Sequence, residues 1–162
     1  MSRYTQSKTS EPVDYSLLCQ QLDALIEDES NLVANLANAA ALLWMSLERI
    51  NWAGFYLLEG DILVLGPFQG KPACTRIAVG QGVCGTAVAL RQPMLVADVH
   101  AFPGHIACDS ASNSEVVIPL IDADGKIWGV LDIDSPEFER FDDDDENGLS
   151  RFANHLLAAF NK

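Results

Sequence analysis

The apolar residues of this chain keep helical spacing up to Leu47 and again after Asp142, while the segments between are dominated by period-two runs broken by Gly and Pro. Helices at both ends of a chain, with strands joined by tight turns between them, make an α+β domain with an antiparallel sheet. There is no βαβ alternation, so a doubly wound parallel sheet is excluded. At 162 residues the chain fits one core, because two domains would each fall near the lower end of the usual range of ~100–200 residues.

Residues 1–12 read as a flexible polar segment ending at Pro12, and residues 13–162 as the single domain. Val13 to Leu47 is helical with a break near Glu29 and Ser30. Leu18, Leu22 and Leu25 form one stripe, and Leu32, Leu36, Leu43 and Leu47 another. In Asn51–Leu58, Ala53, Phe55 and Leu57 alternate with Trp52, Gly54 and Tyr56, which predicts a strand with two distinct faces. Glu59-Gly60-Asp61 turns it into a return strand at Ile62–Leu65. Pro72–Val79 is expected as a third strand, GQGVCGTAVALRQ as a loop entering a short helix that ends before Pro93, and Met94–Ala97 as a short strand. Residues 98–114 carry no periodicity and read as a long functional loop. Glu115–Ile121 and Lys126–Asp134 form a hairpin through Asp124-Gly125, a dipeptide that favours a type I′ turn. A last helix starts in the DDDDE run, with Leu149, Phe152, Leu156 and Phe160 on one stripe.

Charge narrows the function. Ten Lys and Arg against 23 Asp and Glu give a net charge of −13, the opposite of what tracking nucleic-acid phosphates or holding an anionic lipid surface requires. The polar N-terminus lacks a signal-peptide pattern, and no stretch reaches the ~18 apolar residues of a membrane helix, which together predict a cytoplasmic protein. In that reducing compartment Cys19, Cys74, Cys84 and Cys108 are not expected as structural disulfides. None is arranged as CxxC and there are three histidines, so no metal site is expected.

The hairpin around Asp124-Gly125 carries the most informative placement. A two-residue turn sets Glu115 opposite Asp134 and Val117 opposite Asp132, which puts three carboxylates on one face. A four-residue loop keeps that parity and a three-residue loop breaks it. Like charges facing one another across strands need a cation, a proton or a strong donor to persist, unless the face is simply wet. Trp52 and Tyr56 share one face of their own strand. Each could be a core aromatic, but beside carboxylates they describe a site for an ammonium group, held by charge and cation–π contact.

Cys108 lies in the polar loop, three residues after His105 and seven before Glu115, unlike an inert cysteine packed among apolar residues. Cys19, beside Leu18 and Leu22, fits the packing description. Cys84 lies at a predicted helix N-terminus, where the backbone N–H groups and helix dipole are expected to lower a thiol pKa. Cys74 stands ten residues before it, at a strand start. Three non-helical cysteines in this span favour thiol redox chemistry over unrelated packing choices. Other motifs fail: Asp122-Ala-Asp124-Gly125 has its glycine two positions too early for a calcium loop, Gly80–Gly85 lacks the Lys-Ser/Thr of a phosphate loop, and too few residues follow Asp132-Ile-Asp134-Ser135 for a phosphoaspartate phosphatase.

The segments FPGHIACDSASNSEVVIPL, GQGVCGTA, INWAGFYLL and GVLDIDSP resemble those of the free methionine-(R)-sulfoxide reductases, which have the GAF fold. The resemblance runs from about Asp14 to the last helix. It implies a six-stranded antiparallel sheet with the N- and C-terminal helices packed on one face and a covering loop on the other. It also implies reduction of the free R epimer without a bound cofactor: Cys108 as nucleophile, Cys74 as the resolving thiol and Cys84 as an alternative or relay. Trp52 and Tyr56 correspond to the aromatic wall, and Glu115, Asp132 and Asp134 to the carboxylates that hold the substrate, with Glu115 the first choice of acid. Recycling by an external dithiol, the thioredoxin system drawing indirectly on NADPH, follows from the same resemblance, as does a leaning towards a homodimer. The competing readings are a non-catalytic GAF-type sensor, which leaves the cysteines unexplained, and a thiol redox switch, which leaves the aromatic and carboxylate face unexplained.

Overall fold

In the computed structural model, which describes residues 12–106 and 111–162, two helices open the chain: α1 (Tyr15–Ile26) and α2 (Leu32–Ser46). Asp14 caps the first by accepting from the Leu17 N–H at 3.0 Å, and Asn31 caps the second through the Ala34 N–H, also at 3.0 Å. The expected break falls between them, where the Glu29 carboxylate accepts from the Asn31 N–H and the Glu29 carbonyl from Asn35 Nδ2. One part of the predicted stripe is corrected. Leu18 and Leu22 are buried, but Leu25 is 42% exposed and Ile26 takes the core position, because the buried row of α1 advances by four residues from 18 to 22 to 26.

Six strands follow: β1 (Trp52–Glu59), β2 (Ile62–Gly70), β3 (Arg76–Ala78), β4 (Met94–Val96), β5 (Ser114–Ile121) and β6 (Ile127–Ser135), with helix α3 (Gly82–Leu90) between β3 and β4. They form one antiparallel sheet in the order β3-β2-β1-β6-β5-β4, so β1, β6 and β5 are central. β2 runs further than the sequence reading placed it. Gly54 pairs with Phe68 and Tyr56 with Leu65, which leaves Gly66 and Pro67 opposite Phe55 alone. This bulge absorbs a proline that has no N–H to give the ladder. The expected strand over Pro72–Val79 shrinks to Arg76–Ala78.

The hairpin between β5 and β6 follows the predicted register by a different route. Gly125 has a left-handed φ of 82°, but Asp124 does not, so the turn is not type I′. The Asp122 carboxylate instead accepts from the N–H groups of Asp124 and Lys126, at 2.9 and 3.0 Å, and the turn closes through Asp122 N–H to the Lys126 carbonyl. That three-residue loop would have flipped the faces. A bulge restores them: Leu120 pairs with Gly129 and Ile121 with Ile127, leaving Trp128 extra. Beyond it Glu115 stands opposite Asp134 and Val117 opposite Asp132.

Helix α4 (Asp143–Leu156) starts in the acidic run with a capping box, in which Asp142 accepts from the Asp145 N–H and Asp145 from the Asp142 N–H. Leu149, Phe152 and Leu156 are buried as predicted, while Phe160 lies in a following 3₁₀ turn (Leu157–Asn161) and is half-buried. Tyr15 of α1 fits against Gly148, whose missing Cβ would otherwise fall on its ring, and its hydroxyl donates to Asp145 at 2.6 Å. The three terminal helices cover one face of the sheet, with Ala53, Phe55, Val116, Ile118, Leu131 and Ile133 beneath them. Each large side chain fully buried there contributes roughly 1.5–3 kcal/mol. The opposite face holds a second apolar cluster, with Trp52, Tyr56, Leu63, Val117 and Val130 from the sheet and Val83, Ala87 and Val88 from α3.

Candidate active site

Alternation sends every second residue of the three central strands to the face away from the terminal helices. β5 presents Glu115 and Val117 there, β6 presents Val130, Asp132 and Asp134, and β1 presents Trp52, Gly54 and Tyr56. Trp52 pairs with Asp134 and Gly54 with Asp132, so the aromatic strand lies directly beside the carboxylates. The predicted residues therefore line one pocket: Trp52, Tyr56, Cys84, Glu115, Asp132 and Asp134.

The aromatic wall is larger than the sequence suggested. The Trp52 and Tyr56 rings stack at 5.9 Å between centroids, and Phe68 of β2 stacks on the other side of Trp52 at 5.1 Å. Phe68 was missed because it lies beyond the Gly66-Pro67 bulge. Gly54 makes the stack feasible, since a Cβ there would fall onto the Phe68 side chain and approach the Trp52 ring at 2.9 Å. The polar ends of both aromatics are occupied. Trp52 Nε1 donates to the Lys71 carbonyl at 3.1 Å and the Tyr56 hydroxyl donates to the Cys74 carbonyl at 2.9 Å. Burial, with Asp132 nearby, raises the Tyr56 pKa, so the phenol keeps its proton and remains a donor.

Glu115 and Asp132 are buried and Asp134 half-buried. Burial is the main reason the Glu115 pKa is raised well above the ordinary carboxylate range, and the charges of Asp132 and Asp134 push it further the same way. Burial also raises the Asp132 pKa, against hydrogen bonds from Glu115, Cys84 and Asp134 that lower it. Asp132 Oδ1 is buried without a hydrogen-bond partner among the described residues. These surroundings favour the protonated form of Glu115 and leave an acceptor oxygen of Asp132 open among the described residues.

Cys84 corrects the expectation of a low thiol pKa. It does sit in the first turn of α3, but it is buried against the carboxylates, with Sγ 4.0 Å from Glu115 Oε1. Burial first, then the charges of Asp132, Glu115 and Asp134, raise its pKa well above that of a free thiol. The sulfur and one oxygen each of Glu115 and Asp132 lie within 4.8 Å of one another, a grouping that the absence of CxxC did not anticipate. Cys74, half-buried between β2 and β3, is disulfide-bonded, whereas Cys19 and Cys84 are free thiols and Cys19 is buried in the core under the terminal helices. Cys108 lies outside the described residues.

Both flanks of the covering loop are described. On the near side His105 and Ile106 line the pocket, and burial together with His100 lowers the His105 pKa, leaving a neutral imidazole. On the far side Ser112 accepts from Asn51 Nδ2 at 3.1 Å, and the Asn113 N–H donates to the Ser135 carbonyl at 2.8 Å. Gln81 and Gly82 at the start of α3 also line the pocket, and no side chain among the described residues caps that helix. No sequence signal distinguished Ser112, Gln81 or Ile106 as pocket residues.

Comparison with known proteins agrees with this geometry. The GAF domain family matches residues 21–160. The chain is 58% identical over 142 residues to the free methionine-R-sulfoxide reductase of Escherichia coli (strain K12), covering 88% of this chain and 86% of that one. The structure of fRMsr of Staphylococcus aureus in complex with substrate superposes with a TM-score of 0.87 at 53% identity, covering 93% of this chain and 98% of that one. The free methionine-R-sulfoxide reductase of Neisseria meningitidis in complex with its substrate also gives 0.87, at 46% identity, with 91% and 88% covered. The chain belongs to the GAF-domain family and, within it, to the free methionine-R-sulfoxide reductases.

Proposed function

We infer that this protein reduces free methionine-(R)-sulfoxide to methionine. The observation that carries the reading is the carboxylate trio of buried Glu115 and Asp132 with half-buried Asp134 beside the Trp52–Tyr56 stack, with the Cys84 thiol lining the same pocket. The relatives from Escherichia coli and Saccharomyces cerevisiae carry this activity in their names, and those from Staphylococcus aureus and Neisseria meningitidis are solved with substrate. A free amino acid offers the ammonium group that the open Asp132 oxygen and its neighbouring carboxylates need, and the aromatic faces accept both a cation and a thioether chain.

In the reaction, the Cys108 thiolate attacks the sulfoxide sulfur while the Glu115 carboxyl gives its proton to the sulfoxide oxygen. That oxygen passes to Cys108 as a sulfenic acid, and methionine leaves with the electron pair on sulfur. A group that keeps its proton near neutrality suits this task, and burial with the neighbouring Asp132 and Asp134 charges raises the Glu115 pKa well above the ordinary carboxylate range. The Cys74 thiol then displaces the hydroxyl of the sulfenic acid, releasing water and forming a disulfide. That Cys74 is disulfide-bonded while Cys84 and Cys19 are free supports the Cys74–Cys108 pairing over one through Cys84. A dithiol protein of the thioredoxin class restores both thiols by exchange.

The test offers the reduced enzyme free methionine-(R)-sulfoxide and its N-acetyl derivative, which lacks the ammonium charge. Consumption of the free compound alone is expected. Equal consumption of both would remove the ammonium site from the account, and consumption of neither would remove the enzyme.

A further inference from the structure

We propose that Cys84, Glu115 and Asp132 form a binding site for a borderline or soft divalent cation of the zinc or cadmium type, which excludes the amino-acid substrate from the pocket while it is bound. The three side chains come from α3, β5 and β6, so their separation is fixed by sheet register and by the packing of α3 on the sheet and not by a mobile loop. One donor atom from each lies within 4.8 Å of the other two, and Cys84 Sγ is 4.0 Å from Glu115 Oε1. Around one zinc ion, with Zn–S of ~2.3 Å and Zn–O of ~2.0–2.2 Å, tetrahedral donors stand about 3.3–3.6 Å apart, so the Cys84–Glu115 edge needs a closure of about half an ångström.

A second observation points to a ligand. Asp132 is 5% exposed, it lines the pocket, and its Oδ1 has no hydrogen-bond partner among the described residues. A buried carboxylate oxygen of that kind is costly unless something cationic or a donor arrives. The ammonium group of the substrate is one such partner and a metal ion is the other. Three protein ligands with the fourth position facing the pocket match an open zinc site, and the one-sulfur, two-oxygen set selects against hard cations, because magnesium and calcium take oxygen ligands and gain nothing from a thiolate. On binding, the Cys84 thiol and the Glu115 carboxyl release their protons to solvent, and no electron moves.

The site overlaps the substrate pocket but uses no catalytic step, so its test reads binding and not turnover. In the full-length protein with Cys74 in its disulfide, cadmium titration is followed by the thiolate-to-metal charge-transfer absorption in the ultraviolet. One equivalent is expected, with the band abolished by Cys84→Ser, retained by Cys19→Ser and untouched by excess magnesium. Glu115→Gln and Asp132→Asn should each lower the affinity by more than the ~10–100-fold that loss of an outer-shell partner costs. Absence of the band from the native protein, its persistence in Cys84→Ser, or unchanged affinity in both carboxylate variants would overturn the proposal. The two carboxylate variants keep the test decisive if Cys84→Ser does not fold.

Discussion

The Tyr56 hydroxyl donates to the Cys74 carbonyl at 2.9 Å, so a residue that lines the candidate pocket also fixes the backbone of the proposed resolving cysteine. Tyr56→Phe keeps the ring and removes only that bond, worth about 1 kcal/mol. The first turnover should be unchanged and steady-state turnover should fall about fivefold, because the cost falls on bringing Cys74 to the oxidised nucleophile. Rapid-quench measurement of burst amplitude beside the steady-state rate separates the two, and an equal loss in both would place Tyr56 in the chemical step instead.

Glu115→Gln should cost activity and add stability. In its proposed role as proton donor to the sulfoxide oxygen, Glu115 is expected to supply ~10²–10⁴-fold in rate. The sign of the stability effect follows from its raised folded-state pKa. Stability from such a group is fully present below the unfolded carboxyl pKa and is lost as pH rises towards the folded value. The variant should therefore gain about 1–2 kcal/mol over the native protein at pH 8, with the gain shrinking towards pH 4. Urea denaturation of the ligand-free proteins at both pH values checks this, and a native protein that becomes more stable from pH 5 to pH 8 through this residue would contradict the assignment.

The same proton store sets the pH dependence of turnover. kcat/KM should decline on the alkaline side as Glu115 ionises, because the Glu115–Asp132–Asp134 group then carries an extra negative charge and no acid. The alkaline limb belongs to the coupled carboxylates as a set, and Asp132→Asn should move it to higher pH if removing a neighbouring charge eases the remaining repulsion unevenly in favour of the protonated acid's hydrogen bonds, or to lower pH if charge repulsion dominates. After burial, the Asp132 charge does most to raise the Glu115 pKa, so a shift to lower pH is the expected result. A pH–rate profile unchanged in Asp132→Asn would separate the two residues.

Cys108→Ser should abolish even a single turnover, whereas Cys74→Ser should spare the first turnover and stop recycling through the disulfide. Quantifying methionine formed per enzyme without added reductant distinguishes them. Full single-turnover activity in Cys108→Ser would remove it as nucleophile.

Much of the site was legible because strand alternation is a strict rule. The register that puts Glu115 across from Asp134 and Val117 across from Asp132 could be counted from the turn, and Trp52 and Tyr56 follow from period two. The turn itself was misread, since the Asp122 side chain selects a three-residue loop and the Trp128 bulge then cancels its effect. Cys84 was misread for a different reason. A helix start is visible in sequence, but the carboxylates from β5 and β6 that pack against its thiol are thirty and more residues away, and burial first, then their charge, raises its pKa despite the helix terminus. Phe68 escaped because a Gly-Pro pair reads as the end of a strand until the partner strand is known to allow a bulge.

The central claim is that this pocket turns over one stereoisomer of a free amino acid. Incubating the protein with dithiothreitol and the resolved epimers of free methionine sulfoxide, then quantifying each by chiral chromatography, tests it most directly. Loss of the R epimer with the S epimer intact is the predicted result, and persistence of both, or equal loss of both, would contradict the account.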